Sequence, residues 1–350
     1  MKYVSAFCIS ALLLLVSCTG RDASGGGVSI AVFVPGNISG SPVYEMLVSG
    51  AETAVAEFNA AHQDDQPDGI PVKIDIIEAG TNQSEWGGRL TALTAEGKYD
   101  LIFSSNPSIP EIIAPLTSQF PEQRYIVLDA LLAGNSSIAT FRYNQREEAY
   151  LAGYMAALVT GSSMEYANPQ KKIGFIAAQE YPVMNGILLP SFIEGAQAAD
   201  PETEVDFRIV GNWYDASKAA ELARAMYNAG ADVILPISGG ANQGVISAAR
   251  ELGFYISWFD DNGFSKAPGY VVSSSVIRQD KLAERVITDF LEDTIRFGTA
   301  ETFGMAEGYV DFITDDPLYT ATVPEDIREK MAAAAADIRL GKTLLPSPAL

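Results

Sequence analysis

Residues 28–58 read VSIAVFVPGNISGSPVYEMLVSGAETAVAEF, and this stretch decides the fold because it contains a complete strand–loop–helix unit. Residues 28–34 form an apolar run typical of a buried strand, and a loop rich in glycine, serine and proline follows. Ser41 and Pro42 suit the start of a helix, because serine caps a helix well and proline is tolerated at the first helical position. The helix's apolar face repeats at helical spacing and consists of Leu47, Ala51, Ala54, Val55 and Phe58.

The same unit recurs along the chain, with a restart after the turn signal Gly134-Asn135. Further strands are predicted at 72–77, 101–103, 125–128, 138–143, 173–177, 205–210, 233–235, 255–259 and 271–274. Helices are predicted at 85–96, 147–159, 186–199, 216–229 and 243–252, with others ending near Gln119 and Arg285. Alternating strands and helices imply parallel sheets covered by helices on both faces. We therefore expect two similar α/β lobes.

The N-terminus has the layout of a bacterial export leader. Lys2 supplies positive charge, residues 4–16 are apolar but too short to span a bilayer, and Leu15-Val16-Ser17-Cys18 resembles a lipobox. We predict a signal peptide at 1–17, a flexible tether at 18–27, and a lipid anchor on Cys18 that holds the protein at the periplasmic or extracytoplasmic face of the cell membrane. The alternatives are an ordinary secretion leader with an incidental cysteine, or a buried apolar helix.

Composition narrows the functional classes. Both cysteines lie in the predicted leader, so the mature chain has no thiol for catalysis or for a metal. The formal net charge of −21 disfavours nucleic-acid binding. His62 is the sole histidine and lies in a polar segment where a satisfied surface side chain is expected. We expect no catalysis, no metal and no cofactor.

Ligands of open α/β sheets bind outside the carboxyl ends of the strands, and this rule selects the first candidate residues. The residues that follow predicted strands are Asn37, Ser105, Asn106, Asp129, Trp213, Gly239, Asn242 and Asp260. They offer amides, carboxylates and an aromatic ring. A strand-end aspartate is also a common helix cap, so capping is the competing interpretation for Asp129 and Asp260.

Several motifs together resemble the basic membrane protein family of lipoproteins. They are 213–215 (WYD), 231–245 (ADVILPISGGANQGV), Asn144-Gln145, 126–129 (IVLD), 255–260 and 271–285. The resemblance implies a substrate-binding protein of an ABC importer, partnered by a permease and an ATPase, with the two-lobed type I periplasmic-binding-protein fold and a hinge between the lobes. We expect the N-terminal lobe at 28–139 plus about 262–300, and the C-terminal lobe at 140–261 plus about 301–350.

The likeness also implies the ligand and the remaining candidates. Nucleoside-binding members carry a stacking phenylalanine where this chain has Val43, followed here by Tyr44, and Trp213 stands where they have a second phenylalanine. This arrangement is similar to that of the riboflavin-binding lipoproteins of spirochaetes. Riboflavin is compatible with it, because a wide flat ring would be stabilised by stacking on Tyr44 and Trp213. A purine nucleoside is the alternative ligand. A lipid-anchored carboxylate hydrolase and an inert surface interaction protein are the alternatives from other classes.

Three further candidates have a structural interpretation of equal or greater weight. Trp86 could line the cleft or pack within its lobe, Arg278 could bind the ligand or pair with a neighbouring acid, and Tyr44 could simply cover the core. Asn144 enters through the family motif alone. The complete set of candidate ligand-binding residues is Asn37, Tyr44, Trp86, Ser105, Asn106, Asp129, Asn144, Trp213, Gly239, Asn242, Asp260 and Arg278.

Overall fold

The computed structural model describes residues 27–62 and 71–348. The predicted leader, Cys18 and all but the last residue of the predicted tether lie outside this range. The strands are β1 (Ser29–Val34), β2 (Lys73–Glu78), β3 (Leu101–Ser105), β4 (Arg124–Leu128), β5 (Ile138–Tyr143), β6 (Lys172–Ala177), β7 (Glu204–Ile209), β8 (Ala231–Ile237), β9 (Tyr255–Trp258), β10 (Val271–Ile277), β11 (Ala300–Phe303) and β12 (Val310–Phe312). The α-helices are α1 (Pro42–Ala61), α2 (Gln83–Ala95), α3 (Ile109–Ile113), α4 (Gln145–Thr160), α5 (Leu189–Ala199), α6 (Ala216–Asn228), α7 (Asn242–Leu252), α8 (Gln279–Leu291), α9 (Pro317–Thr322) and α10 (Glu325–Arg339).

The strands form two six-stranded sheets with matching strand orders. The first sheet runs β11-β5-β4-β3-β1-β2, and the second runs β12-β10-β9-β8-β6-β7. Among the strands of the described residues, every pairing is parallel except that of β12 with β10. In each sheet the first strand of the unit lies between the second and the third, the arrangement that creates a ligand crevice at the strands' carboxyl ends. The predicted two-lobed α/β architecture is confirmed.

The central strands of the two sheets are buried on both faces, as β1, β8 and β10 show. On β1, Ile30, Val32 and Val34 pack with α1 residues such as Leu47 in the main core cluster. Ala31 and Phe33 face the opposite side and pack with α2 and α3 residues in a smaller cluster. Both faces of this continuous apolar strand are therefore buried, as expected for a strand covered by helices on both sides.

Within residues 27–62 and 71–348, the chain crosses between the lobes three times. It crosses at Asn144 between β5 and α4, at Arg278 between β10 and α8, and between β11 and β12. Helix α8 packs so closely on α1 of the first lobe that a Cβ at Gly50 would collide with the Asp280 carbonyl. Helix α4 approaches α5 of the second lobe just as closely through Gly153.

The sheets divide the chain at different places from the predicted lobe boundaries. The boundary between residues 139 and 140 falls within β5, which lies wholly in the first sheet. Strand β10 was expected in the N-terminal lobe, but it pairs with β9 in the second sheet, while β11 pairs with β5 in the first. The chain changes lobe after β10 and not before it.

The C-terminal segment lies along the first crossing. The Arg142, Asn144 and Arg146 side chains donate hydrogen bonds to the carbonyls of residues 347, 345 and 346, at 3.2, 2.8 and 3.1 Å. Arg142 belongs to β5 of the first sheet and Arg146 to α4 of the second lobe, so this segment contacts both lobes. Among the described residues, no helix has the length and apolar character needed to cross a membrane.

Candidate ligand-binding cleft

Two aspartates occupy equivalent positions at the carboxyl ends of the two sheets. Asp129 directly follows β4, and Asp260 follows β9 after Phe259. Both have a left-handed backbone, with φ of 51° and 70°. This conformation is uncommon for residues other than glycine, although aspartate and asparagine tolerate it better than most. The two turns bring a carboxylate from each lobe close enough for the charge of Asp129 to raise the pKa of Asp260.

Each carboxylate is held in an environment that opposes its charge. Burial raises the pKa of Asp129 to about 7. Burial, and then the nearby charge of Asp129, raise the pKa of Asp260 to about 8. Both residues are nevertheless only half-buried and keep some solvent access. Within the described part of the chain, neither carboxylate forms a hydrogen bond or an ion pair.

Glu148 on α4 adds a third acid beneath this pair. Its Oε1 accepts a 3.0 Å hydrogen bond from the backbone N–H of Asp260 and so supports the left-handed turn there. Its Oε2 is buried and has no hydrogen-bond partner among the described residues. Burial, followed by the Asp260 charge, raises the pKa of Glu148 well above its ordinary value.

The second lobe contributes an aromatic wall, which consists of Tyr181 and Trp213. Their ring centroids lie 6.2 Å apart at an interplanar angle of 43°. Gly239, with φ of 59°, lies directly beneath the indole, and a Cβ there would approach Trp213 Cε3 to 3.3 Å. Gly239 is therefore needed for the close approach of Trp213. Burial, then the charges of Asp260 and Asp129, raise the pKa of the Tyr181 phenol.

The first lobe contributes Tyr44, whose ring lies against Gly36. Its hydroxyl donates to the Pro35 carbonyl at 3.1 Å and receives a 3.5 Å hydrogen bond from the Asn106 side chain. Burial raises its pKa to about 12, and the charge of Asp129 adds to the effect. Tyr44, Asn106 and Asp129 thus form one group on this side of the cleft.

Four predicted residues have partners within the protein. Trp86 is only 4% exposed, belongs to the smaller core cluster of the first lobe, and donates its indole N–H to the Gly80 carbonyl at 2.8 Å, which favours the packing interpretation. Arg278 lies 3.8 Å from Asp311 of β12, as the ion-pair alternative expected. Asn144 binds the C-terminal segment, and Ser105 donates to Gln279.

Asn37 and Asn242 remain at the edges of the site. Asn37 is exposed on the loop after β1. Asn242 uses its side-chain oxygen to accept hydrogen bonds from Ser238, from the backbone N–H at 2.9 Å and from the hydroxyl at 2.6 Å. The residues that the structure brings together are accordingly Tyr44, Asn106, Asp129, Trp213, Gly239 and Asp260.

Sequence reasoning missed three residues of this region. Tyr181 follows β6, so the strand-end rule could have found it. Glu148 resembles an ordinary acidic residue in the first turn of a helix, and only the fold shows it buried. Gln279 carries no local signal, because its partners come from three distant elements.

The chemistry available to this cleft is that of an acceptor-rich, aromatic binding site. Carboxylates accept hydrogen bonds from hydroxyl and N–H groups, and the aromatic wall can stack a flat ring. No group of three or more histidine, cysteine, aspartate or glutamate side chains in residues 27–62 and 71–348 is arranged to hold a metal ion. His62 stacks on Phe58 at 4.1 Å, away from the cleft.

Comparison with known proteins places the chain among transport proteins. The family model "ABC transporter substrate-binding protein PnrA-like" (Bmp) matches residues 27–343. The ABC transporter nucleoside-binding protein BmpA of Lactococcus lactis is 24% identical over 266 residues, which cover 71% of this chain and 72% of that protein. The transcriptional activator protein med of Bacillus subtilis is 22% identical over 92% of each chain. An ABC transporter solute-binding protein of Aeropyrum pernix shares the fold with a TM-score of 0.77 at 18% identity, over 92% of this chain and 94% of that one.

Proposed function

Because this chain belongs to the family of PnrA-like ABC transporter substrate-binding proteins, we propose that it captures riboflavin between its lobes and delivers it to a membrane permease driven by an ATPase. One observation carries the proposal: two carboxylates without protein partners in the described chain, one from each lobe, lie near the Tyr181–Trp213 ring pair, because both charges raise the pKa of Tyr181. Capture and delivery need no chemical step, so Asp129 and Asp260 act as hydrogen-bond acceptors and not as catalysts.

The acids favour an uncharged ligand that carries several hydroxyl groups. An ionised carboxylate can only accept hydrogen bonds, and one left buried without a donor destabilises the protein. The ribityl chain of riboflavin offers hydroxyl donors along its length and carries no charge. A phosphorylated flavin fits less well, because its anion would face Asp129, Asp260 and Glu148 together.

The aromatic residues favour a wide ring. Tyr181 and Trp213 form a continuous wall in the second lobe, and Tyr44 stands on the first-lobe side. Offset stacking contributes about 0.5–1.5 kcal/mol beyond the burial of area for each aromatic pair. Val43, at the position of the nucleoside binders' phenylalanine, and Tyr44 are both partly buried against the core, and of the two only Tyr44 carries a ring that could stack on the ligand.

A purine nucleoside is the second candidate, supported by the nucleoside-binding relative from Lactococcus lactis. Its ribose hydroxyls would suit Asp260 as well as a ribityl chain does. It has fewer hydroxyl donors to share among the acids and a smaller ring for the Tyr181–Trp213 wall.

The test combines native mass spectrometry of the purified protein with calorimetric titration of the ligand-free protein. We expect a co-purified mass equal to riboflavin and a saturable heat with riboflavin. Binding of inosine or guanosine without binding of riboflavin would refute the flavin assignment and favour the nucleoside. Conversion of either compound into a new product during incubation would favour the hydrolase class instead.

Attachment to the membrane through Cys18 is also part of this proposal, and it rests on the lipobox-like sequence alone. Cell fractionation tests it. We expect the unmodified protein in the membrane fraction and a Cys18→Ala variant in the soluble extracytoplasmic fraction. Identical fractionation of both proteins would contradict the anchor.

A further inference from the structure

Gln279 joins three separate elements of the first lobe. It is the first residue of α8 and directly follows Arg278, where the chain crosses from the second sheet to the first lobe. Its fully buried side chain donates to the Val43 carbonyl at 2.8 Å and accepts from the hydroxyls of Ser105 and Tyr143, at 3.0 and 3.3 Å.

Each of these partners is next in sequence to a residue of the cleft or of a crossing. Val43 precedes Tyr44, Ser105 precedes Asn106, and Tyr143 precedes the crossing at Asn144. A side-chain amide offers a donor and an acceptor with two lone pairs at one end of a chain of this length. Glutamate would lack the donor, methionine would lack both kinds of bond, and asparagine is one methylene shorter.

We infer that Gln279 is a positioning residue that makes the segments carrying Tyr44 and Asn106 in the first lobe and two of the lobe crossings move as one unit. The inference rests on the proposed function, since it assumes that Tyr44 and Asn106 contact the ligand. Hydrogen bonds from one buried amide fix the start of α1 and the ends of β3 and β5 relative to α8. Any rotation about the crossing at Arg278 is thereby transmitted to the first turn of α1, which carries Tyr44, and to the loop that carries Asn106.

The first test compares Gln279→Met and Gln279→Asn with a control that removes a buried hydrogen bond elsewhere. Thr94→Val is the control, because the Thr94 hydroxyl bonds that of Tyr125 at 2.9 Å beneath α2, away from the cleft. Urea unfolding measures stability and calorimetric titration measures affinity for riboflavin and guanosine. We expect both Gln279 variants to weaken binding about tenfold, while Thr94→Val stays within about twofold of the parent protein. Equal affinities in all of the folded variants would overturn the inference.

The second test needs no ligand, so it separates failure of this inference from failure of the proposed function. Amide hydrogen exchange is measured on the ligand-free full chain. We expect Gln279→Asn to speed exchange in peptides spanning 36–47 and 104–109, and to leave peptides within 231–252 unchanged. Unchanged exchange in the first two peptides refutes the role of Gln279. If the parent protein binds neither compound, the proposed function fails and exchange alone decides the matter.

Discussion

The paired aspartates predict an unusual pH dependence of stability in the ligand-free protein. Asp129 and Asp260 have folded-state pKa values of about 7 and about 8, against an ordinary value of 3.8. Between these limits the folded chain holds more protons than the unfolded chain, so its stability falls as the pH rises. The stabilising effect of protonation is fully present below about pH 4 and is lost as the pH passes through 7 and 8.

The magnitude follows from the shift in pKa. Raising one carboxyl from 3.8 to about 7 corresponds to about 4 kcal/mol across the titration. Solvent reaches both side chains, and its screening reduces the contribution to about 2 kcal/mol for each. The pair should therefore remove about 2–4 kcal/mol of stability between pH 5 and pH 8.5.

The matched variant is Asp129→Asn with Asp260→Asn. Asparagine has nearly the same shape and tolerates the left-handed backbone that both positions require. Urea unfolding of both proteins, free of ligand, at pH 5 and pH 8.5 gives the comparison. We expect the double variant to lose about 2–4 kcal/mol less than the parent protein across this interval. An equal loss in both proteins would show that the cleft carboxyls ionise normally, and would refute the argument.

Three further predictions follow from the cleft and the crossings. Riboflavin should bind about tenfold more tightly as the pH rises from 5.5 to 7.5, because the hydroxyl donors of the ligand favour the ionised carboxylates. Calorimetry in two buffers of different ionisation enthalpy should detect the release of protons on binding. Weaker binding at the higher pH would mean that the carboxyls donate hydrogen bonds to the ligand. Trp213→Ala should weaken riboflavin binding about tenfold or more, with little loss of stability. Trp86→Ala should instead lower the free energy of unfolding by about 3–5 kcal/mol and leave the affinity unchanged. If titration and urea unfolding gave the reverse pattern, Trp86 would be the ligand contact and Trp213 the core residue. Deleting residues 344–350 should lower the free energy of unfolding by about 1–3 kcal/mol, because the buried Asn144 amide loses the Leu345 carbonyl; an unchanged urea midpoint would show that water replaces the segment.

The sequence predicted the sheets because the signal for a buried parallel strand is local. β1, β8 and β10 are buried along almost their whole length, and an apolar run shows this directly. The same apolar stretches do not indicate which of the two sheets a strand belongs to. Strand β10 was expected in the wrong lobe for that reason, since only its pairing with β9 decides its position.

The residues of the candidate site also differ in whether a local sequence pattern can identify them. Asp129, Asp260 and Trp213 follow strand ends, so a topological rule could find them from the sequence. Trp86 could not be separated from them by its residue type, because its burial depends on the packing of α2 against the sheet. Glu148 and Gln279 acquire their roles from contacts across more than 100 positions of chain, and no local pattern encodes such contacts.

The placement of the three tryptophans gives the protein a built-in optical readout. Trp86 and Trp258 are buried with their N–H groups bonded inside the protein, so their emission should report whether the chain is folded. Trp213 alone stands in the cleft, beside Tyr181. A flavin bound there would accept its excitation energy, because the flavin absorbs where tryptophan emits, whereas a purine would not. A loss of tryptophan emission during a titration would therefore distinguish a flavin from a purine, without any added label.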